Sequence, residues 1–508
     1  MNANQEEVLR FLLGTALPGP VERIDTHAAV VLLAGERAYK MKRAVRYSFL
    51  DFSTLDRRRR ALEAELALNR RTAPALYLGL LPVVRRPDGT LALGGEGEPV
   101  EWLLEMRRFP QEARLDRVAA RGRLTADLIE ALAREIVAFH RAARVRPDRG
   151  GIAAMRGIVT GNAGDLAALC PAIFDPGAVT ALTADTEAAL AAAGPLLEER
   201  RRIGRVRHCH GDLHLANIVL LGGRPVLFDC IEFDEDLACI DVLYDLAFLV
   251  MDLLERDLRP EAWQLLQSYN DAVREDRGQA LLPLFLAVRA AIRAKVEGLA
   301  ARIAEDPALR EEKAAAARRY LEFATAALVP ATPRLVAIGG LSGSGKSSVA
   351  RALAPLLDPL PGATVLRSDV IRKQLFGRAP TDRLPSTAYR AEIGRRVFGI
   401  MERRAALLLE GGRSVICDGV YGDPDQRAGI EAVAAARGAR FLGIWLEAPE
   451  AVLEARVAAR RGDASDADLA VLRRQRETLD LAAVAWRRVD AARPVEEIAA
   501  DIRRLLGA

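Results

Sequence analysis

The sequence contains few cysteines, very little lysine and no long apolar run. Its five cysteines are scattered without a CxxC pair, so neither a disulfide framework nor a zinc site is indicated. The longest apolar run, residues 246–254, contains Asp252 and is too short to cross a bilayer. The N-terminus lacks the pattern of a signal peptide. These absences predict a cytoplasmic protein that does not enter a membrane.

A strong charge of either sign is also missing. The formal net charge is +4 over 508 residues, which requires neither a nucleic-acid groove nor a membrane-binding patch. A local basic patch for a phosphorylated substrate stays compatible with it. Half of the residues are apolar and 28% are charged, as in globular proteins. At about 150 residues per domain, this length predicts two or three domains.

The scarcity of lysine is informative. Six lysines occur among the 73 basic residues, which leaves 67 arginines. Together with the abundance of alanine, this is typical of a GC-rich bacterial genome. Under such a bias, a retained lysine indicates a site that needs a compact ammonium group. Lys40, Lys42 and Lys346 are of interest because each falls within a candidate site.

Strand and helix patterns divide the chain at a proline-containing break, residues 329–333. Before it, strand-like runs surround a helix at 56–71, and helical patterns dominate 125–323 apart from a hairpin turning at Gly222-Gly223. After it, strands alternate with helices, as in a mainly parallel sheet. The strand-like runs are 28–33, 37–41, 78–84, 100–106, 218–221 and 225–229 before the break, and 335–339, 364–367, 414–418 and 440–446 after it.

Residues 340–347 read Gly-Leu-Ser-Gly-Ser-Gly-Lys-Ser between an apolar strand and a helix. In such a P-loop the glycines let backbone N–H groups wrap a phosphate, the lysine reaches the β- and γ-phosphates, and the hydroxyl holds Mg²⁺. The C-terminal third is therefore expected to bind a nucleoside triphosphate. The predicted nucleotide-binding residues are Gly340, Ser342, Gly343, Ser344, Gly345, Lys346, Ser347 and Ser348, with Ser347 as the Mg²⁺ ligand.

Two acids follow strands of this region, and the carboxyl ends of parallel strands meet at the ligand-binding edge of a sheet. Asp369 follows the strand 364–367, so its carboxylate could accept the proton of an attacking hydroxyl, with Arg372 beside it. Asp418 ends the strand 414–418 and could orient Mg²⁺ or substrate. Either acid could instead cap a helix.

Arginines further along the chain form a candidate lid. Arg456, Arg460 and Arg461 lie on a helix before the polar loop 462–468, where they could neutralise a transferring phosphoryl group or simply face solvent. Together, these features of residues 334–508 resemble the small P-loop kinases that include gluconate kinase, the polynucleotide 5′-kinases and the zeta-toxin type sugar-nucleotide kinases. The resemblance implies phosphoryl transfer to a hydroxyl.

A second motif, His-Gly-Asp-Leu-His-Leu-Ala-Asn, occupies residues 210–217. Its Asp212 and Asn217 have the spacing of the kinase catalytic loop, in which the aspartate deprotonates a hydroxyl and the asparagine holds Mg²⁺. Asp229 ends the second hairpin strand, where a metal-binding acid belongs. Three ligand-type side chains are therefore expected to converge across one hairpin.

This motif resembles that of the aminoglycoside phosphotransferase and choline kinase family, a branch of the protein-kinase-like fold, and so does the segment Asp-Val-Leu-Tyr-Asp-Leu-Ala at 241–247. The resemblance implies that Asp212 is the catalytic base and that Asn217 and Asp229 are Mg²⁺ ligands. It also implies that Asp245 braces the loop that contains His210. His214 fits loop packing better than catalysis.

A kinase fold also needs a strand lysine paired with a helix glutamate. Lys40 and Lys42 share one face of a strand, and Glu63 and Glu65 lie on the following helix. We choose Lys40 and Glu65, and retain Lys42 as the alternative nucleotide-binding lysine. No GxGxxG loop precedes the lysine strand, so no segment of the sequence is assigned to cover the ATP phosphates. Residues 101–108 are expected to link the two lobes.

The sequence is thus interpreted as α+β and α/β: an N-terminal bilobal protein-kinase-like fold at 1–329, a linker at 330–333 and a C-terminal P-loop NTPase at 334–508. Its lobes are expected at about 1–106 and 107–329. The whole arrangement resembles bacterial fusions of an aminoglycoside phosphotransferase-like domain with a P-loop domain. The expected activity is transfer of phosphate from ATP, with Mg²⁺, to small-molecule hydroxyl groups at two sites.

Three questions stay open in the sequence. One domain could bind ATP only to gate the other, and the P-loop domain could phosphorylate nucleic acid 5′ ends, which the modest charge disfavours. The acidic segment 231–236 could hold a cationic acceptor such as an amino sugar, or could be solvated, which is the commoner state of acids. The oligomeric state is not indicated.

Overall fold

The computed structural model describes residues 3–26, 28–47, 50–379, 381–459 and 464–507. The chain divides into two compact units. The first runs to Ile158 and includes Gly194–Asp252, and the second comprises Val159–Ala193 and everything from Leu253 onward. The predicted linker at 330–333 lies inside the second unit. Among the described residues, no helix has the length and apolar character needed to cross a membrane.

Eighteen α-helices and seventeen strands are formed by the described residues. The helices are α1 (Ala3–Phe11), α2 (Leu55–Asn69), α3 (Leu115–Ala120), α4 (Ala126–Ala142), α5 (Gly151–Ala167), α6 (Pro176–Arg202), α7 (Glu235–Ala238), α8 (Val242–Glu255), α9 (Arg259–Val273), α10 (Leu282–Ile303), α11 (Pro307–Leu328), α12 (Lys346–Leu353), α13 (Ser368–Leu375), α14 (Ala391–Glu410), α15 (Pro424–Ala435), α16 (Glu450–Ala459), α17 (Leu469–Thr478) and α18 (Val495–Leu505). The strands are β1 (Val21–Asp25), β2 (Ala29–Ala34), β3 (Arg37–Lys42), β4 (Arg46–Tyr47), β5 (Leu50–Asp51), β6 (Tyr77–Arg85), β7 (Leu91–Leu93), β8 (Glu98–Arg107), β9 (Val206–His208), β10 (Ile218–Leu221), β11 (Arg224–Leu227), β12 (Cys239–Asp241), β13 (Arg334–Gly340), β14 (Thr364–Arg367), β15 (Val415–Asp418), β16 (Arg440–Glu447) and β17 (Arg487–Asp490).

The first unit is built on an antiparallel sheet of order β1-β2-β3-β8-β6-β7. Apolar residues of α1 and β2, such as Val8 and Leu32, form the core on one face of this sheet. On the other face, Leu62 of α2 packs with Leu104 of β8. Helix α2 begins at Thr54, whose hydroxyl accepts the N–H of Arg57 as an N-cap. The sheet thus holds β3 against α2, and with them the candidate lysines and Glu65.

Short antiparallel pairs in the same unit support the catalytic motif. Strands β10 and β11 form the expected hairpin, and β9 pairs with β12. The motif lies between β9 and β10, so both of its ends are anchored in paired strands. Asp229 was predicted to end the second hairpin strand, but that strand ends at Leu227 and Asp229 follows with a positive φ of 64°. This conformation turns the chain out of the ladder.

The second unit contains a five-stranded parallel sheet of order β14-β15-β13-β16-β17. Its central strands are buried along nearly their whole length, as expected for a parallel sheet with helices on both faces. Helices α12 and α18 contribute to the core on one face, and α14 and α15 to the core on the other. Trp263 of α9 also belongs to the first of these cores.

The structure confirms the fold class, and the predicted strands lie within about two residues of the observed ones. Three strands of the two main sheets were not predicted: β1, β7 and β17. Strand β1 is mostly exposed at the sheet edge, and its Val-Glu-Arg-Ile-Asp sequence lacks a regular alternation of apolar and polar residues. The last strand, Arg-Arg-Val-Asp, has one apolar residue and takes its conformation from pairing with β16.

Candidate active sites

In the first unit, Asp212 and Asn217 contact each other directly. The Asn217 side-chain amide donates to Asp212 Oδ2 at 2.9 Å and to the Asp212 carbonyl at 3.0 Å. A short 3₁₀ turn, Leu215–Asn217, makes this contact possible by bringing the end of the motif back toward its start. Since the amide nitrogen is used in this way, the amide oxygen of Asn217 is the atom that can face a cation.

The backbone before Asp212 is held by a buried carboxylate. Asp245 Oδ2 accepts the N–H of His210 at 3.2 Å and lies 3.1 Å from His140 Nε2. Asp245 Oδ1 accepts the N–H of Gly211 at 2.9 Å. His210 Nε2 in turn lies 2.9 Å from the carbonyl of Phe228. The loop is therefore fixed both to α8 and to the segment after β11.

His214 lies beside the candidate base. Its Nδ1 accepts the N–H of Ala216 at 3.2 Å, and its Nε2 is 3.3 Å from Asp212 Oδ2. With Nδ1 acting as an acceptor, the neutral ring carries its proton on Nε2, so it can donate to Asp212. The ring also packs edge-on against Phe248. His214 thus packs in the loop and also touches the group proposed to take the proton.

Lys40 joins the helix glutamate to the acid after the hairpin. Its Nζ lies 2.6 Å from Glu65 Oε1 and 2.9 Å from Asp229 Oδ1. Burial lowers the pKa of the Lys40 ammonium, but the charges of Asp229 and Glu65 outweigh burial, so this pKa lies well above its usual range. Lys40 is therefore charged, and it faces the position expected for phosphate and metal.

Lys42 occupies the other oxygen of the same glutamate. Its Nζ is 2.6 Å from Glu65 Oε2, and it also pairs with Glu232. Lys42 is only 4% exposed, whereas Lys40, at 16%, is the lysine that reaches Asp229. Glu63, the other helix candidate, is half exposed and pairs with Arg59. The geometry thus favours the pair Lys40 and Glu65.

Three residues that hold this site were not anticipated from the sequence. Tyr77 Oη accepts the N–H of Asp229 at 3.1 Å, and Asn69 Oδ1 accepts the N–H of Cys230 at 2.9 Å. Glu232, the third, belongs to the acidic segment 231–236, for which the sequence left a cationic acceptor site and solvation open, and its side chain is buried against Lys42. Asn69 follows Glu65 by one helical turn, and this spacing is the signal that could have identified it.

In the second unit, the P-loop adopts a conformation that its glycines permit. Gly343 has a φ of 86°, and a Cβ there would lie 2.6 Å from the carbonyl oxygen of Leu453. A Cβ on Gly340 would lie 2.7 Å from the carbonyl oxygen of Leu446. Neither position can hold a larger residue without moving backbone atoms. The two glycines thus allow the loop to pack closely against β16 and α16.

The polar side chains of the loop fit a nucleotide phosphate with a divalent cation. Lys346 Nζ donates to the carbonyls of Gly340 and Leu341, both at 3.0 Å, so it lies over the loop. Ser347 Oγ donates to Asp418 Oδ2 at 2.5 Å, which places two hard oxygen ligands together. The buried Ser344 hydroxyl has no hydrogen-bond partner among the described residues, which suits a phosphate oxygen.

Asp369 lines the same cavity as the P-loop. This cavity has a volume of about 710 Å³ and is bordered by the loop, Asp418, Arg372 and Arg456. Burial and the neighbouring Asp418 charge both raise the pKa of the Asp369 carboxyl above its usual value. A carboxylate with a raised pKa is a better proton acceptor, which is the property that a general base needs.

Arg372 lies on the acceptor side of the cavity. One of its Nη atoms donates to the carbonyl of Ala388 at 2.8 Å, and the guanidinium stacks on the Tyr389 ring at 4.9 Å. The side chain is 9% exposed, and its Nε has no hydrogen-bond partner among the described residues. Burial lowers the pKa of Arg372. An unfilled donor thus remains close to Asp369.

Of the three candidate lid arginines, the structure describes Arg456. Arg456 donates to the carbonyl of Ala491 at 2.9 Å and lies near Gly345, so it borders the cavity beside the P-loop. Arg460, like Arg461, lies outside the described residues.

Two contacts of this site were not anticipated. Gln475 Oε1 accepts the N–H of Ser342 at 2.9 Å, and Asp466 binds Lys373 Nζ at 2.7 Å.

Comparison with known proteins finds two family models and curated relatives that match this chain. A family model described as Phosphotransferase enzyme family matches residues 43–290, and one described as AAA domain matches residues 335–482. Proteins of Mycobacterium tuberculosis and Mycobacterium bovis, both described as uncharacterized, are each 32% identical over 450 residues, which is 87% of this chain and 87% of theirs.

Solved structures of kinases are among those to which the chain is similar. A choline/ethanolamine kinase family protein from Mesorhizobium loti is 14% identical, with 64% of this chain and 99% of that chain covered and a TM-score of 0.39. A gluconokinase from Sinorhizobium meliloti is 25% identical, with 34% and 94% covered and a TM-score of 0.25. On its sequence relatives and family models, the chain belongs to the family of proteins that join an aminoglycoside phosphotransferase-like domain to a C-terminal P-loop kinase domain, and it is an ATP-dependent phosphotransferase.

Proposed function

We propose that the protein is a bifunctional kinase with one Mg²⁺-dependent phosphotransfer site in each unit, each acting on a hydroxyl group of a small molecule. The observation that carries this proposal is the same in both units. A carboxylate that can accept a proton, Asp212 or Asp369, lies beside groups suited to hold phosphate and a cation. Each unit thus combines a proton acceptor with groups suited to phosphate and to a divalent cation, as phosphoryl transfer requires.

In the first site, Asp212 would take the proton of the acceptor hydroxyl as its oxygen bonds to the γ-phosphorus, and ADP would leave. His214 and Asn217 hold the Asp212 carboxylate in place for this step. Lys40, oriented by Glu65, would bind the α- and β-phosphates. Asn217 and Asp229 would hold Mg²⁺, which offsets the charge of the phosphates when bound.

In the second site, Asp369 would have the same role toward an acceptor bound in the 710 Å³ cavity. The loop 340–348 would bind the phosphates of ATP, while Ser347 and Asp418 would hold Mg²⁺. The raised pKa of Asp369 supports its assignment as the base. Arg456, at the border of the cavity, would face the nucleotide.

The charged side chains near each site bear on the charge of its acceptor. Arg372, buried beside Asp369 with an unfilled Nε donor, favours an acceptor that carries a carboxylate or phosphate near its hydroxyl group. In the first unit, Glu232 is occupied by Lys42, so the acidic segment offers only its exposed acids to a cationic amino sugar. These acids pair with arginines: Glu235 with Arg146, and Asp236 with Arg149.

The test is phosphate transfer from labelled ATP by the full-length protein to a panel of sugars, sugar acids, sugar phosphates and aminoglycosides. Asp212→Asn should abolish one set of products and Asp369→Asn another. Asp127→Asn and Asp425→Asn, which change exposed acids outside the sites, are the matched controls and should retain both sets.

Two results would count against the proposal. If one of the two variants retains every product, its unit binds ATP without transferring phosphate and regulates the other unit. If products form only with oligonucleotides, and their yield falls steeply with salt, the second unit is a polynucleotide 5′-kinase.

A further inference from the structure

Helix α9 presents one face to an edge of the parallel sheet in the second unit. Trp263, Gln267 and Asp271 are spaced by four residues, so they lie on one face of the helix. Trp263 Nε1 donates to the carbonyl of Ala363 at 2.8 Å. Gln267 Nε2 donates to the carbonyl of Val365 at 3.0 Å, and Gln267 Oε1 accepts the N–H of Val365 at 2.9 Å.

These contacts supply hydrogen-bond partners to backbone groups at the open edge of the sheet. Among the described strands, β14 lies at the edge of the sheet, with β15 as its neighbour. The N–H of Thr364 points toward that neighbour and bonds to Ser414, whereas the N–H and carbonyl of Val365 point outward. The Gln267 amide supplies one acceptor and one donor to this residue, as a further strand would.

The spacing of the contacts follows from the geometry of the two elements. Four residues of an α-helix rise about 6 Å, and two residues of a strand rise about 6.6 Å. A helix that runs along a strand can therefore match every fourth of its side chains to every second strand residue. Trp263 and Gln267 match Ala363 and Val365 in this way.

The contacts continue to the helix that carries the candidate base. Strand β14 ends at Arg367, and Asp369 lies in the first turn of α13. Gln374 of α13 donates to the carbonyl of Asp271 at 2.9 Å. Beyond α9, Asp276 forms a buried bidentate pair with Arg404 of α14 at 2.7 and 2.9 Å. Elements on both sides of Asp369 are thus tied to α9 or to the segment that follows it.

We propose that Gln267 is a positioning residue for the second site: by completing the edge of β14, it sets the position of Asp369 relative to the P-loop. This proposal rests on the proposed role of Asp369. It assigns a function in the P-loop site to a helix that lies within the match to the phosphotransferase family model, residues 43–290. The P-loop itself follows β13, which is separated from β14 by β15. Nucleotide binding should therefore depend little on Gln267.

The experiment uses the full-length protein with Asp212→Asn as the background, so that the first site is silent. Gln267→Ala removes both bonds to Val365, and Gln267→Glu retains only the acceptor of the Val365 N–H. Ser268→Ala, one residue along the same helix, is the matched control. The measurements are hydrogen exchange of peptides covering residues 364–367 and steady-state phosphate release from Mg-ATP.

Gln267→Ala should accelerate exchange at Val365 by about fivefold or more, because a hydrogen bond that protects it is lost. It should lower kcat at least about threefold while the KM for ATP changes less than about twofold. Gln267→Glu should lower kcat at least as much as Gln267→Ala, because a carboxylate oxygen would face the Val365 carbonyl and the Asp271 carboxylate in place of the amide donor. Ser268→Ala should match the background.

Unchanged exchange at Val365 in Gln267→Ala would overturn the proposal. So would faster exchange with the same kcat and KM as Ser268→Ala, because the helix would then only stabilise the sheet. Failure of the proposed function has a separate signature. It appears as phosphate release that survives Asp369→Asn in the same background, whatever the exchange at Val365.

Discussion

The strongest energetic prediction concerns Glu65. Its side chain is fully buried, and each of its carboxylate oxygens lies 2.6 Å from a lysine ammonium, Lys40 on one side and Lys42 on the other. Glu65→Gln would keep the shape of the side chain but remove the charge that both lysines share. Removing one partner of a buried ion pair typically costs about 3–5 kcal/mol.

The lower end of that range applies here, since Asp229 still pairs with Lys40 and Glu232 with Lys42. A loss of about 3 kcal/mol corresponds to a fall of roughly 6–12 °C in the melting temperature of a unit of this size. Scanning calorimetry of the full-length protein measures this fall. Hydrogen exchange of α2 peptides assigns the affected transition to the first unit.

Glu63→Gln is the matched control for this prediction. Glu63 lies on the same helix, but its side chain is 48% exposed and pairs with Arg59 at the surface. Such exposed pairs contribute only about 0.3–0.5 kcal/mol, so the melting temperature should change by no more than about 2 °C. Equal shifts for Glu65→Gln and Glu63→Gln would refute the account of the buried cluster.

Two further predictions concern the second unit. Gly343→Ala should abolish nucleotide binding at the P-loop, because the new Cβ would lie 2.6 Å from a carbonyl oxygen and the residue has a φ of 86°. Gly399→Ala, in helix α14, is the control and should retain binding. Titration with a fluorescent ATP analogue measures the binding of both variants. Burial raises the pKa of Asp271 to about 6, so the folded state binds its proton more tightly than the unfolded state and loses stability as pH rises from about 4 to 6. Asp271→Asn should therefore stabilise the protein at pH 8, by less than about 3 kcal/mol because the side chain is only half-buried, and should have no such effect at pH 4; equal unfolding free energies at pH 8 would contradict this.

The parts of the sites that the sequence predicts best are those whose chemistry requires neighbouring residues. A P-loop needs its glycines, lysine and hydroxyl within eight positions, because one backbone turn must surround a phosphate. Asp212 and Asn217 are likewise five positions apart, and their side chains meet across a single turn. Local spacing is sufficient to identify such groups.

Residues that join a site through tertiary contacts could not be identified in the same way. Glu232 pairs with Lys42 across 190 positions, and Gln475 reaches Ser342 across 133. Neither glutamate nor glutamine has a neighbouring pattern that distinguishes it from a solvated side chain. Their roles depend on which strands and helices are adjacent, and this is determined by packing.

Which helices and strands belong to the second unit could not be predicted from local sequence either. Helical patterns dominate from about 125 to 323 apart from the hairpin that turns at Gly222-Gly223, so no local feature separates α9 from the helix before it. Its place is set by Trp263 in the core beside β14 and by the two bonds of Gln267 to Val365. The break at 329–333, which is visible in the sequence, falls inside this unit.

The central claim is that one chain holds two separate ATP sites. Equilibrium dialysis with a labelled, non-hydrolysable ATP analogue and Mg²⁺ counts them directly. We expect two nucleotides bound per chain, one in Lys346→Ala, one in Lys40→Ala and none when both substitutions are combined. A single nucleotide per chain that one of these substitutions abolishes entirely, while the other leaves it unchanged, would contradict the account.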